Sequence, residues 1–392
     1  MSLIETASDL EALVTRLRRE PLLAVDTEAA SFHRYRDRVY LFQVSSRTET
    51  AIVDPLAVGG LAPLGGVLAD PAIEIVFHDA DYDLRLLDRE YGLRTSNLFD
   101  TRIAAQLLNE PGVGLAALLE KYLQVTLDKR FQRADWSTRP LSPGMLAYAA
   151  SDTTHLPVLR DILRRQLEER GRLGWAEEEF ELLTATRYTP PDGDEPPYLR
   201  MKGAKAPRGR ELAVLRELYE WRDGVAQRAD KATFRILNND PILAMARTPP
   251  TDVAALKAIP GISGEQADRR GGDILAAVKR GLAVPERDLP RIARAPRRPH
   301  DPELDARLDR LKTARNRLAT QLNLAPGVLC PNGTLEAIAR ANPATITKMA
   351  AIPDFRRWQL STIGGELLEA LRGSSGPTSE ESSAPSPSPA AT

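Results

Sequence analysis

Residues 22–28 read LLAVDTE, a run of apolar residues that leads directly into two acids. The apolar part is typical of a buried β-strand, and the alternation of a strand places the side chains of Asp26 and Glu28 on one face, with Val25 and Thr27 on the other. Two carboxylates at about 4 Å repel each other by about 1 kcal/mol in water and about 4 kcal/mol at an effective dielectric near 20. The pair therefore indicates a bound cation, unless the strand has already ended and both acids are solvated.

Strand and helix signals alternate around this stretch over the first 190 residues. Further apolar runs typical of strands lie at residues 40–45, 51–53 and 73–78. Helical spacing of apolar residues covers 8–19, 83–91, 101–108, 115–123 and 143–167. Pro157 is expected to kink or end the first part of the last helix. The pattern predicts an α/β domain with a mainly buried sheet, followed after residue 208 by short helices alone.

A second acidic segment, HDADYDL at residues 78–84, follows a predicted strand. Acids in the first turn of a helix ordinarily balance the helix dipole, which explains one or two of the three aspartates. All three also lie at the carboxyl end of a strand, where open α/β sheets bind ligands.

A third segment, YAASD at residues 148–152, belongs to a predicted helix that Ser142 caps and Pro143 begins. Tyr148 and Asp152 are separated by one turn and share a helix face. Taken alone, they are compatible with a surface pair. Together, the three segments indicate a site of hard oxygen ligands suited to Mg²⁺ or Mn²⁺, of the kind that supports phosphoryl transfer.

The helical half contains an internal repeat. With an offset of 93 residues, 221–262 align with 314–355 without a gap, and identical pairs include Arg222 with Arg315, Asn239 with Asn332 and Pro260 with Pro353. The repeat indicates two copies of one small helical domain.

Two Pro-rich stretches and a polar end complete the predicted organisation. We expect an α/β domain at 1–188, a linker at 189–207, a helical domain at 208–283, a second linker at 284–302, a second helical domain at 303–372 and a disordered tail at 373–392.

Charge is distributed unevenly along the chain. Residues 1–200 hold 23 Lys and Arg against 32 Asp and Glu, whereas residues 201–300 hold 20 against 12. This asymmetry suggests a polyanion partner for the basic middle; solvated helix faces and an Arg-rich linker are the alternative.

Composition excludes several classes of protein. Cys330 is the single cysteine, so a thiolate zinc site and an internal disulfide are excluded, and a reducing, cytoplasmic setting is expected. No apolar run approaches the roughly 18 residues of a membrane span, so no membrane partner is expected. The absence of GxxxxGK[ST] argues against an ATPase.

In this order, the motifs VDTE, HDADYDL and YAASD resemble those of ribonuclease D, a member of the DEDD 3′–5′ exonuclease superfamily with tyrosine in the third motif. LYEWRDGVAQRAD and ILNNDPILAMA resemble the helicase-and-RNase-D C-terminal (HRDC) domain. The repeat would be a diverged second copy, with Ala314 where Trp221 stands. The resemblance implies an α/β RNase H-like (DnaQ-like) exonuclease domain with a mixed sheet, followed by two small all-α HRDC-like domains.

The resemblance also implies roles for individual residues. The ligands of two divalent ions, Mg²⁺ or Mn²⁺, would be Asp26, Glu28, Asp83 and Asp152, and Tyr148 would position the attacking water. Asp83 is chosen over Asp79 and Asp81 because it directly precedes Leu84. Candidates for contact with nucleic acid are Lys129, Arg130, Arg133, Trp136, Arg208, Arg210, Lys231 and Arg235.

The function implied is 3′–5′ exoribonuclease activity that releases 5′-mononucleotides, with precursors of transfer RNA and other structured RNA as substrates. Two alternatives stay open: a DNA 3′–5′ exonuclease of the proofreading or repair type, and an inactive RNA-binding scaffold.

Overall fold

The structure is a computed structural model that describes residues 1–190, 195–292 and 300–373. It divides into two compact units. The first comprises residues 1–104, 112–170 and 179–298, and the second groups residues 105–111 and 171–178 with the chain from residue 299 onward.

A six-stranded mixed sheet lies in the first unit, with the strand order β1-β4-β3-β2-β5-β6. β2 pairs antiparallel with β3 on one side and parallel with β5 on the other. The strands are β1 Ser2–Ile4, β2 Leu22–Ala29, β3 Val39–Ser45, β4 Thr50–Val53, β5 Glu74–Phe77 and β6 Leu98–Asp100.

Helices account for most of the remaining described residues. Those up to residue 184 are α1 Ala7–Leu17, α2 Pro55–Val58, α3 Gly65–Leu68, α4 Asp81–Tyr91, α5 Thr101–Leu107, α6 Leu115–Leu123, α7 Pro143–Thr154, α8 Leu156–Glu169 and α9 Leu173–Thr184. The first repeat contains α10 Gly209–Ala229, α11 Thr233–Ile236, α12 Asn239–Arg247, α13 Val253–Lys257 and α14 Gly264–Ala283. The second contains α15 Pro302–Gln321, α16 Pro326–Leu329, α17 Asn332–Ala341, α18 Ile346–Ala350 and α19 Arg357–Arg372. No helix among the described residues is both long enough and apolar enough to cross a membrane.

The predicted fold class is confirmed. α7 begins at Pro143, with the Ser142 hydroxyl accepting a hydrogen bond from the Met145 backbone N–H at 3.2 Å. It ends at Thr154, and only His155 separates it from α8, which begins at Leu156. The break precedes Pro157, as predicted. The three-residue strands β1 and β6 were not predicted.

Each repeat contains the same buried arginine contact. In the first, Arg222 Nη1 donates to the Leu237 carbonyl at 3.0 Å and to Asn239 Oδ1 at 2.7 Å. In the second, Arg315 Nη1 donates to the Cys330 carbonyl at 2.9 Å and to Asn332 Oδ1 at 3.0 Å. In both copies an arginine bonds a backbone carbonyl and the side chain of an asparagine. This common contact explains why the arginine and the asparagine are identical in the two aligned copies.

The structure differs from the expected linker at 189–207 over its second half. Tyr198, Leu199, Met201 and Ala204 are buried in the core of the first repeat, because their apolar side chains find partners there that a free linker would lack. Residues 191–194, residues 293–299 of the second linker and residues 374–392 of the tail lie outside the described residues.

Candidate active site

Three of the predicted ligands meet at one point. Asp26 and Glu28 lie on β2 and Asp152 on α7, and one carboxylate oxygen from each lies within 4.8 Å of the others. The meeting follows from the sheet: alternation puts both β2 acids on one face, and α7 packs against β2, β3 and β4. All three are half-buried, so they remain open to a ligand from solvent.

Asp83 lies beside this trio, on the first turn of α4. β2 pairs with β5 only over Leu22–Ala24, so the later residues of β2, which include Thr27, have no partner on β5. There the Thr27 hydroxyl donates a hydrogen bond to the Asp83 carboxylate, which is 6% exposed. Sequence reasoning assigned Thr27 only to the opposite face and missed this contact.

The structure distinguishes Asp83 from the other two aspartates of its segment. Asp81 is exposed and paired with Arg85 at 2.9 Å, and Asp79 is exposed and paired with Arg102 at 2.5 Å. Both of these carboxylates are neutralised on the surface, whereas Asp83 interacts electrostatically with Asp26.

Burial and mutual repulsion disfavour the charged form of all four acids. Desolvation and then the charge of Asp152 raise the pKa of Asp26 to about 8. Desolvation raises the pKa of Asp152 to about 7. The pKa values of Glu28 and Asp83 are raised well above their ordinary range, first by desolvation and then by the charge of Asp26.

These residues fit a divalent cation. Within the described ranges, no lysine or arginine forms an ion pair with any of the four acids. Half-buried carboxylates whose repulsion is uncompensated by protein charge are an oxygen donor set that favours a hard ion such as Mg²⁺ or Mn²⁺.

The stability of the metal-free protein should decrease as pH rises. Because the folded-state pKa values are raised, the folded protein retains protons that the unfolded chain has already lost between about pH 4 and pH 8. Each retained proton contributes a slope of at most about 1.4 kcal/mol per pH unit, and solvent screening reduces it. Urea unfolding in EDTA from pH 5 to 8 measures this slope. It should be shallower in Asp26→Asn than in wild type; equal slopes in the two proteins would contradict the stated electrostatics.

Tyr148 lies next to the acids, one turn before Asp152 on α7. Its ring packs against Trp136 and Phe131, with centroid separations of 5.9 and 6.1 Å. Desolvation and the charges of Asp152, Glu28 and Asp26 raise the pKa of its hydroxyl. The hydroxyl therefore stays protonated at neutral pH and is available as a hydrogen-bonding group beside the carboxylates.

The expected contact of Trp136 with nucleic acid is wrong. Trp136 is 1% exposed and packs behind Tyr148, so neither face of its indole is open to a base. The neighbouring Lys129, Arg130 and Arg133 are exposed, and their contact with substrate stays a prediction.

Two of the residues predicted to contact phosphate, Arg208 and Arg210, also bond groups within the protein, and their contact with phosphate stays a prediction. Arg208 donates to the Pro207 carbonyl at 2.7 Å and the Ala206 carbonyl at 3.1 Å. Arg210 donates to the Leu282 carbonyl at 3.1 Å and pairs with Glu286 at 3.1 Å. Both guanidinium groups bond backbone carbonyls near the start of α10. The positive charge of an arginine in the sequence does not indicate such bonds.

The first repeat also contacts the loop that follows Glu28. Arg235 donates to the Phe32 carbonyl and approaches His33 Nδ1 at 3.1 Å, and the Tyr35 hydroxyl donates to Asp223 at 2.9 Å. The Arg235 side chain therefore has partners within the protein, whereas none is seen for the Lys231 side chain among the described residues. Both side chains are exposed, and their contact with phosphate stays a prediction. No sequence pattern indicates this contact, because its two segments lie some 200 residues apart.

Comparison with known proteins agrees with this geometry. Residues 1–168 match the 3′–5′ exonuclease family, and residues 211–278 and 305–371 each match the HRDC domain. A ribonuclease D from Gluconacetobacter diazotrophicus is 35% identical over 370 residues, covering 93% of this chain and 91% of that protein.

Solved structures give the same result. The crystal structure of Escherichia coli RNase D, described as an exoribonuclease involved in structured RNA processing, superposes with a TM-score of 0.68 at 25% identity, over 94% of this chain and 98% of that one. The catalytic core of RRP6 from Trypanosoma brucei superposes with a TM-score of 0.63 at 33% identity, over 72% of this chain and 79% of that one. The chain therefore belongs to the ribonuclease D family of 3′–5′ exoribonucleases.

Proposed function

We propose that this protein is a metal-dependent 3′–5′ exoribonuclease that releases 5′-mononucleotides from the 3′ ends of structured RNA, including precursors of transfer RNA. The observation that carries the proposal is the cluster of Asp26, Glu28 and Asp152, with Asp83 and Tyr148 beside it, in a ribonuclease D family chain.

Asp26, Glu28, Asp83 and Asp152 would hold two divalent ions, Mg²⁺ or Mn²⁺. When bound, such ions stabilise negative charge on the reacting phosphate and acidify water. Tyr148 supplies a protonated hydroxyl that orients the attacking water toward the terminal phosphodiester, and Trp136 and Phe131 fix the direction of its ring.

Two observations support RNA as the substrate. The relatives named above include an exoribonuclease involved in structured RNA processing. The segment 201–300, which contains the first HRDC domain, is strongly basic, and such a segment favours binding to a phosphate backbone.

The test is digestion, in Mg²⁺, of a transfer RNA precursor with an extended 3′ end. Two preparations of this RNA are used: the first is labelled at its 3′ end and the second at its 5′ end. We expect labelled 5′-mononucleotide from the first substrate and a ladder shortened from the 3′ end for the second. A DNA strand of the same sequence is digested in parallel. Faster hydrolysis of DNA would favour the DNA exonuclease, and no mononucleotide from either strand would favour the inactive scaffold.

A further inference from the structure

Gln43 on β3 is a buried polar residue with no bonding partner. It is 0% exposed, and neither Nε2 nor Oε1 of its amide has a hydrogen-bond partner in the described part of the protein. Leaving a buried amide unpaired costs about 1–3 kcal/mol. A buried amide with this cost and no hydrogen bond suggests that its bond forms only in the metal-bound protein.

The register of the sheet places Gln43 at the acidic cluster. Gln43 lies directly opposite Asp26 in the antiparallel pair of β3 and β2. Directly opposed residues of such a pair project from the same face, with Cβ atoms about 4.5–5.5 Å apart. The amide of Gln43 therefore lies alongside the carboxylate-bearing face of β2.

The neighbours of Gln43 on the same face of β3 have hydrogen-bond or packing partners, so its unbonded amide differs from them. Ser45, two residues along β3, bonds the Thr153 hydroxyl of α7 at 2.7 Å, and Thr153 directly follows Asp152. On the other side, Leu41 packs in the apolar cluster beneath α7. Gln43 is thus fully buried on the face of the sheet that α7 covers, beside the strand that carries Asp26 and Glu28.

We propose that Gln43 is a positioning residue for Asp26: when the Asp26 carboxylate holds a divalent ion, the Gln43 amide N–H, which is unbonded in the metal-free protein, donates to that carboxylate and fixes its orientation. The inference rests on the proposed function, because it concerns the same cluster. Groups that hydrogen-bond a metal ligand orient it, and their loss typically lowers metal affinity about 10- to 100-fold.

The test replaces Gln43 with methionine, which has a similar length and no hydrogen-bonding amide. Mn²⁺ is titrated into the full chain, and binding is followed by thermal denaturation and by calorimetry, without RNA. For Gln43→Met we expect the half-saturating Mn²⁺ concentration to rise about 10- to 100-fold. In hydrolysis assays at fixed Mn²⁺, kcat should fall. The KM for RNA should stay within about twofold of wild type, because Gln43 is fully buried and does not contact RNA.

Ile52→Met is the matched control. Ile52 lies directly opposite Gln43 on β4 and is also fully buried, so this variant repacks the same face without removing an amide. It should bind Mn²⁺ as wild type does. A purely structural role for Gln43 would change the melting temperature and leave the Mn²⁺ midpoint unchanged, and that result would overturn the inference. Gln43→Leu replaces Gln43→Met if the latter does not fold, with the same readouts.

The outcomes separate this inference from the proposed function. If wild type binds Mn²⁺ but degrades no RNA, the proposed function fails, while the Mn²⁺ midpoints still decide the role of Gln43. If wild type degrades RNA and Gln43→Met matches it in Mn²⁺ midpoint and kcat, only the inference about Gln43 fails.

Discussion

Asp26→Asn is expected to abolish RNA hydrolysis, with a loss in kcat on the order of 10³-fold or more, because it removes a carboxylate that would hold the ions that stabilise charge on the reacting phosphate. Asp26 is central in the geometry: its oxygen meets those of Glu28 and Asp152, and its charge raises the pKa values of both Glu28 and Asp83. Asparagine keeps the shape and removes the repulsion, so the variant should fold at least as stably as wild type. Release of labelled mononucleotide from 3′-labelled RNA measures the effect.

Asp81→Asn is the control for this variant. Asp81 lies in the acidic segment 78–84, two residues before Asp83, but it is exposed and paired with Arg85. It should retain activity within about twofold, since exposed ion pairs contribute little. Full turnover by Asp26→Asn, or equal losses in both variants, would show that the cluster is not the reaction centre.

Tyr148→Phe is expected to lower kcat by about 100-fold or more, the range in which a positioned hydrogen-bonding or proton-transfer group contributes. Phenylalanine preserves the ring contacts with Trp136 and Phe131, so the fold of α7 should be unaffected. The variant should bind Mn²⁺ with unchanged affinity, because the carboxylates remain. Single-turnover hydrolysis and Mn²⁺ titration together separate the hydroxyl from the metal site.

Tyr122→Phe is the matched control for the tyrosine. Tyr122 lies on α6, and its hydroxyl donates to Gln166 at 3.1 Å. This variant loses a structural hydrogen bond, at a cost of about 1 kcal/mol, and should keep the wild-type rate. A wild-type rate for Tyr148→Phe would remove Tyr148 from the mechanism.

The choice among neighbouring acids shows how far local patterns reach. The alternation of a strand places Asp26 and Glu28 on one face, and the structure agrees, because that alternation is a property of the backbone. The spacing of Asp79, Asp81 and Asp83 alone does not distinguish them. The resemblance to ribonuclease D selects Asp83, which precedes Leu84, and the structure adds the difference in their surroundings. Arg102 and Arg85 neutralise the first two, and Thr27 holds the third.

Trp136 and Gln43 mark the limit of such patterns. The sequence does not indicate that a tryptophan in a basic loop is buried, or which residue of another strand lies opposite a glutamine. The structure buries the first behind Tyr148 and sets the second opposite Asp26. Arg235 likewise has a positive charge that suits RNA, yet it bonds a loop some 200 residues away.

By itself, the amino-acid sequence determined the α/β domain, the helical repeat and the acidic segments, because strand alternation, helical spacing and caps act over a few residues. Only the tertiary structure decided which acids meet, which cations are already engaged and which amide lacks a partner. These properties depend on pairing between distant segments, where burial and charge are set by the neighbours that the fold supplies.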